Sequence, residues 1–290
     1  MLPVIRVALL HEIKKERQNT KSKIFLDLRI LKASICFMGN YLLLFLLGAV
    51  FGSFFYTLAL RFIDGSMKQS PRNALLSRSK CPSCGKVINP FFLIPIVGFI
   101  ILRGKCAKCK TTISPFYLAA EIVSGALFVF IVHALDMSPL TVAAFLLAEI
   151  SLCIAIIDAK SMIIPDSLVI AFFCISLFSV ILRQEYSQHL YGLIAAFIFF
   201  ALIMLIFPGS FGGGDVKFAS AIGFYCGISL FIVAIETALI TGTIIGLLYL
   251  LAKKKSLKSK IPFAPFLSAG LITAMISGQK IILLYKEFMR

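Results

Sequence analysis

The chain has 290 residues, 60% of them hydrophobic, and a formal net charge of +16. Soluble domains hold roughly 45–50% apolar residues, and a globule with a polar skin cannot hide this excess, so a soluble fold is excluded. The 29 Lys and Arg fall in clusters with no aromatic-interleaved basic surface beside them. That pattern suits membrane topology and contact with membrane lipids, and it sets nucleic acid aside as a partner.

The apolar residues run in blocks near the roughly 20 residues a helix needs to cross about 30 Å of hydrocarbon. Barrel strands would alternate apolar and polar, and YLLLFLLGAVFGSFFYTLAL at 41–60 does not. The sequence therefore predicts an all-α polytopic membrane protein of about eight transmembrane helices with a small cytoplasmic zinc-binding loop domain.

In chain order, residues 1–40 form a basic extension with eight Lys and Arg. It is read as preceding the true start, because Met38 directly opens GNYLLLFLLGAVFGSF; a surface amphipathic helix and an extra crossing are the alternatives. The first span follows at 41–60. The loop 61–115 carries ten basic residues against one acid, Asp64, and the positive-inside rule places it in the cytoplasm. The remaining bundle, 116–285, holds spans near 116–135, 139–157, 164–182, 189–207, 215–228, 230–252 and 261–284, the sixth of them short. Alternation puts 158–163, 208–214 and KKKSLKSK at 253–260 on the cytoplasmic side too.

Within the loop, Cys81-Pro-Ser-Cys84 and Cys106-Ala-Lys-Cys109 are two CxxC knuckles spaced for a four-thiolate tetrahedral zinc site. Gly85 suits the tight turn after the first. A pair of disulfides is the rival, but it needs an oxidising compartment. Four protein ligands close the shell, so the zinc is expected to be structural. The segment 89–104, NPFFLIPIVGFIILRG, is read as the apolar face of this module lying against the bilayer. Cys36, Cys153, Cys174 and Cys226 are expected to pack as small apolar residues.

Membrane helices tolerate few carboxylates, and those they keep usually face a polar cavity. Asp158 ends the third span in DAKSMIIPD, and Asp215 follows three glycines in FGGGDVK; both fall on the same side of the membrane. Two carboxylates held close cannot both ionise, so they share a proton, the arrangement an aspartyl peptidase needs to activate water. Gly212, Gly213 and Gly214 leave the backbone bare for a substrate strand, and Lys217 adjoins them. The plainer alternatives are a helix N-cap for Asp215 and an interfacial contact with Lys160 for Asp158. Asp166 is expected to cap the fourth span, Glu149 and Glu236 to make inter-helix contacts, and Glu121 is left open as an accessory residue.

Taken in order, these motifs resemble the bacterial type IV prepilin peptidases, intramembrane aspartyl proteases of the GxGD type. GSF at 52–54 with Arg61 is similar to the family's first-span signature, although Tyr56 stands where the family usually has Asn. CPSCG, CAKC, ISPFYLAAE ending at Glu121, DAKSMIIPD, FGGGDVK and IPFAPFLSAG at 261–270 complete the series over residues 40–285. The resemblance implies Asp158 and Asp215 as the catalytic pair and the four loop cysteines as zinc ligands. It implies cleavage of prepilin or pseudopilin leaders at the cytoplasmic face of the bacterial inner membrane. It also implies methylation of the new N-terminus with S-adenosylmethionine, for which no binding motif is visible. A proton- or cation-coupled transporter and a zinc-loop scaffold without turnover are the competing classes.

Overall fold

The computed structural model describes residues 40–252 and 261–289. The basic extension, Cys36 and the KKKSLKSK run thus lie outside the described residues. The chain opens with α1 (Asn40–Ile63) and then leaves the bundle for a small module. The module holds α2 (Ser66–Gln69), α3 (Pro71–Leu76), a 3-10 turn (Pro90–Leu93) and α4 (Val97–Ile101). It returns through α5 (Phe116–Leu135), α6 (Pro139–Ser161), α7 (Asp166–Arg183), α8 (Tyr186–Ile206), α9 (Gly213–Ala252) and α10 (Ala264–Phe288).

The helix boundaries follow local chemistry. The Ser138 hydroxyl accepts from the Thr141 amide at 3.2 Å and Pro139 fills the first helical position of α6, a favoured start because proline's missing N–H has no partner there anyway. At its other end Met162 turns left-handed, φ 52°, and Pro165 forbids the helix from running on. Asp166 is not the cap of α7: that place belongs to Pro165, and Asp166 instead pairs with Lys217.

Among the described residues, seven helices are long and apolar enough to cross a membrane, against eight expected spans, and the difference lies in α9. Its first residues abut α6's exit, where Gly214 lies against Ile164, and its later turns return to the same level, where Gly246 lies against Ile261 ahead of α10. Midway, Gly227 sits beside Gln188 and His189 at the far end of the bundle. Both ends of α9 therefore lie at one end of the molecule, and the chain doubles back at Gly227, whose φ of 68° and ψ of 172° suit glycine alone. The first leg, Gly213–Cys226, is only about 21 Å long. The sixth and seventh spans are the two legs of this element.

α6 and α9 form the centre: 72% of each apolar window is buried inside the protein, against 33% for α5 and α7 and 22% for α8. Leu147, Ile154 and Ile157 of α6 share one buried cluster with Phe218, Ala219 and Ile222 of α9 and with Leu267 and Leu271 of α10, while Phe145 of α6 stacks on Phe128 of α5. Cys153 and Cys226 are buried among them as expected, whereas Cys174 is exposed on α7.

The approach of α8 to α9 is set by glycine. A Cβ on Gly192 would lie 2.2 Å from the Gly223 carbonyl, and one on Gly223 2.4 Å from the Gly192 carbonyl; small residues let membrane helices meet at backbone distance. Gly192→Leu should therefore lower stability by at least the 1–3 kcal/mol typical of overpacking, roughly stated, read as a lower melting temperature in detergent. An unchanged melting curve would show that the helices do not meet there.

Candidate active site

Asp158 sits in the last turn of α6, buried at 6% exposure. Its Oδ2 accepts a hydrogen bond of 3.0 Å from the amide of Ala264, 106 residues away at the start of α10. That amide is among the N–H groups that a helix start leaves without an internal partner. Asp158 therefore fastens α6 to α10, and the contact with Lys160 weighed from the sequence is not its partner.

Asp215 lies in the first turn of α9, and its Oδ2 accepts from the Gly212 amide at 2.9 Å. It is not the cap itself. It stands three residues in and reaches back, the acidic half of a capping box. Its other oxygen, Oδ1, is buried with no hydrogen-bond partner. Gly214, next to Asp215, lies against Ile164 just past the exit of α6, and Phe211 packs on Phe263, the neighbour of the Ala264 whose amide Asp158 holds, so the two aspartates of the sequence analysis lie at the same end of the bundle.

The glycines differ from one another. A Cβ on Gly213 would meet nothing within 4 Å, so this part of the loop is open. On Gly212 it would touch the Asp215 carboxylate at 3.4 Å, and on Gly214 it would press on Ile164 at 3.0 Å. Beneath the loop, Phe211 packs on Phe200 and Phe263 with ring centroids 5.1 and 4.9 Å away. The sequence showed Phe211 and Phe263 only as motif letters; their joint role as the floor of the loop is tertiary. Lys217 points away, forming an exposed ion pair with Asp166 at 2.8 Å.

The other acids fall elsewhere. Glu121 is buried and accepts from the Ile96 amide at 2.6 Å, tying the loop module to α5. Glu236 accepts from the Tyr285 hydroxyl at 2.9 Å, an α9–α10 contact as expected. Glu149 accepts from Ser124 at 3.1 Å, but its second oxygen has no hydrogen-bond partner. Nine residues from Asp158, it lies about 180° around α6 and faces α1 and α5. Tyr56, at the position that departs from the family pattern, is buried edge-on against Tyr117 at 4.7 Å.

In the loop the ligand sulfurs of Cys81, Cys84, Cys106 and Cys109 all lie within 4.8 Å of one another. The Cys81 and Cys109 sulfurs are 3.7 Å apart, far beyond the roughly 2.05 Å of a disulfide. The two knuckles share one build. The amides of Cys81 and Cys106 donate to the carbonyls of Lys86 and Thr111, and those of Gly85 and Lys110 return to Cys81 and Cys106. Gly85 and Lys110 are both left-handed, so lysine takes in the second knuckle the place glycine takes in the first. Hydrogen bonds from the Thr111 side chain and backbone hold the Cys109 thiol down to about 6. At Cys84 the Lys86 amide lowers the value, but burial and the neighbouring sulfurs outweigh it and push it up to about 11. Four sulfurs this close cannot all become thiolates without a cation between them, and a divalent metal is the group that fits.

Comparison with known proteins agrees with this geometry. A family model described as "Bacterial Peptidase A24 N-terminal domain" matches residues 46–135, and one described as "Type IV leader peptidase family" matches 145–249, which holds both aspartates. A Bacillus subtilis protein named prepilin leader peptidase/N-methyltransferase is 31% identical over 245 residues, 84% of this chain and 96% of that one. Proteins of the same name from Burkholderia pseudomallei and Pseudomonas aeruginosa are 29% and 26% identical, covering 73% and 78% of this chain and 71% and 80% of their own length. No solved structure matches. With ordered motifs, paired aspartates and full-length relatives in agreement, the chain belongs to the type IV leader peptidase family.

Proposed function

We propose that this protein is a membrane-embedded aspartyl endopeptidase that removes the leader peptides of type IV prepilins and pseudopilins, with Asp158 and Asp215 as the catalytic pair. The observation that carries the assignment is the convergence of the exit of α6 with the entries of α9 and α10, where Asp158 and Asp215 sit and Asp215 Oδ1 is left without a hydrogen-bond partner. Each aspartate spends one oxygen on a backbone amide, Ala264 for Asp158 and Gly212 for Asp215, which fixes its orientation before substrate arrives.

One proton shared by the pair is enough for hydrolysis. The ionised aspartate takes a proton from water, the resulting hydroxide attacks the scissile carbonyl, and the protonated partner donates to the carbonyl oxygen. Collapse breaks the C–N bond as the leaving amine takes up a proton, and the dyad returns to its starting charge without a covalent intermediate. The open backbone at Gly213 gives a substrate strand room beside Asp215. The basic loop 61–115 supports placing this end of the bundle at the cytoplasmic face of a bacterial inner membrane.

Asp158→Asn and Asp215→Asn should each reduce cleavage of a prepilin peptide by on the order of 10²–10⁴-fold, the range of acid–base contributions. Asparagine still accepts from Ala264 or Gly212, so the melting temperature should stay close to wild type. Near-normal cleavage by either variant would remove that aspartate from the mechanism.

The four cysteines would hold zinc, which supplies cross-linking of the loop and no open coordination position. One equivalent of zinc per chain is expected by elemental analysis. Cys81→Ser should lower it and make residues 61–115 sensitive to protease, while cleavage survives in part. Complete dependence of cleavage on the metal would contradict a purely structural role.

The relatives' names extend the proposal to N-methylation of the new N-terminus, with S-adenosylmethionine as donor. The cavity of about 330 Å³ between α1, α5 and α6 is lined mainly by apolar groups such as Leu152, Cys153 and Ile156, with Tyr56, Ser124, Glu149 and Lys160 as its polar members. The relatives give no support to the transporter alternative.

A further inference from the structure

The loop module carries an apolar ridge that the peptidase mechanism does not use. Phe91 is 75% exposed, Ile100 63% and Ile101 62%, with Leu93, Ile94 and Val97 also exposed between them. All six fall within eleven consecutive residues, built as a proline-started 3-10 turn followed by α4. Soluble surfaces rarely present a contiguous patch of this kind without a partner. Arg103, Lys105, Lys108 and Lys110 follow within ten residues, and all are exposed.

The ridge is held at a fixed place. Ile96 turns through φ 65° and ψ −52°, a conformation that a β-branched residue adopts only when its surroundings impose it. The turn is closed locally by the Val97 amide, which donates to the Pro95 carbonyl at 2.6 Å, and is tied down by a 2.6 Å hydrogen bond from the Ile96 amide to Glu121. Glu121 is buried in the second turn of α5, a membrane-spanning helix whose first residue, Phe116, is itself 66% exposed. A side chain anchored in the bilayer thus fixes the turn from which the ridge projects.

We propose that the module is an interfacial element: the 91–101 ridge lies in the cytoplasmic leaflet, its basic neighbours contact anionic headgroups, and Glu121 is the tether that sets its depth. Three observations favour lipid over other occupants. The ridge is tied through Ile96 and Glu121 to the start of α5, where Phe116 is also exposed. The loop 61–115 has ten basic residues against one acid, which complements an anionic surface. The same charge repels the basic leader of a prepilin, so the substrate is a poor occupant. The inference does not rest on which groups perform cleavage.

The chain contains no tryptophan, so Phe91→Trp in the full-length protein gives a single fluorescent reporter, and Ile100→Trp a second should the first fail to fold. Each variant would be reconstituted into vesicles of phosphatidylglycerol and phosphatidylcholine and checked for prepilin cleavage. Lipids brominated high on the acyl chain should quench the emission about twofold or more, while aqueous iodide quenches it several-fold less than free tryptophan. Adding Glu121→Ala should reverse that order, and omitting phosphatidylglycerol should weaken lipid quenching. Full iodide quenching without bromolipid quenching in the parent reporter would overturn the proposal. Protection that grows with protein-to-lipid ratio would assign the ridge to a second copy of the chain. Protection gained only when a prepilin is added would assign it to substrate. Either result would also overturn it. Loss of cleavage by Asp158→Asn with bromolipid quenching retained would leave the inference standing, and retention of cleavage by that variant would fault the dyad alone.

Discussion

A carboxylate at membrane depth survives only where something replaces water, and here the replacement is the unfilled end of a helix. The first turns of α9 and α10 expose amides that no carbonyl within the helix can reach, and both turns carry the positive end of a helix dipole. Asp215 accepts from the first and Asp158 from the second. Three chain ends therefore converge: the exit of α6 and the entries of α9 and α10. A carboxylic acid near the centre of a membrane helix costs about 2.5–3.5 kcal/mol on insertion scales. Placing both at helix ends beside donors lowers that cost.

The same convergence explains why α9 must fold back. A helix that simply continued past Cys226 would carry its later turns away from the Asp158 end, and α10 would begin on the wrong side. Reversal at Gly227 returns the chain to the level of Ile261, so that α10 can start beside Asp158. The short first leg is a consequence: only about 14 residues separate Asp215's turn from the reversal. Gly192, Gly223 and Gly227 make this geometry possible by removing side chains at the α8–α9 contact.

What could be read from the sequence was what depends on type and spacing. Hydropathy blocks marked the spans, even the two legs of α9, because an apolar run interrupted by glycine at 227 is visible as letters. The CxxC spacing announced four converging sulfurs, and the aspartates stood out because charge in an apolar run is rare. Partnership across long separations was not legible. Nothing near Ala264 says that its amide will face Asp158, and nothing near Asp166 says that it will pair with Lys217 rather than cap its own helix. Glu121 shows the same limit: an acid ending ISPFYLAAE near a span suggested a role, but the Ile96 turn it holds is defined by backbone dihedrals that residue letters do not record.

Glu149 shows why membrane burial by itself is a weak guide to catalysis. It is more deeply buried than either aspartate of the pair, at 1% exposure against 6% for Asp158, and a ranking by depth would choose it first. Yet the helix that carries Asp158 toward α9 and α10 carries Glu149 toward α1 and α5, and rotation about one rigid axis cannot bring both to one substrate. Its hydroxyl donor, Ser124, is neutral, so no amide from a helix start and no second acid accompanies it. Without those it lacks both the donors that would stabilise a carboxylate and the neighbour that would hold a shared proton. What separates the proposed catalytic acids from the buried one is company at a helix end, and that is a property of the fold.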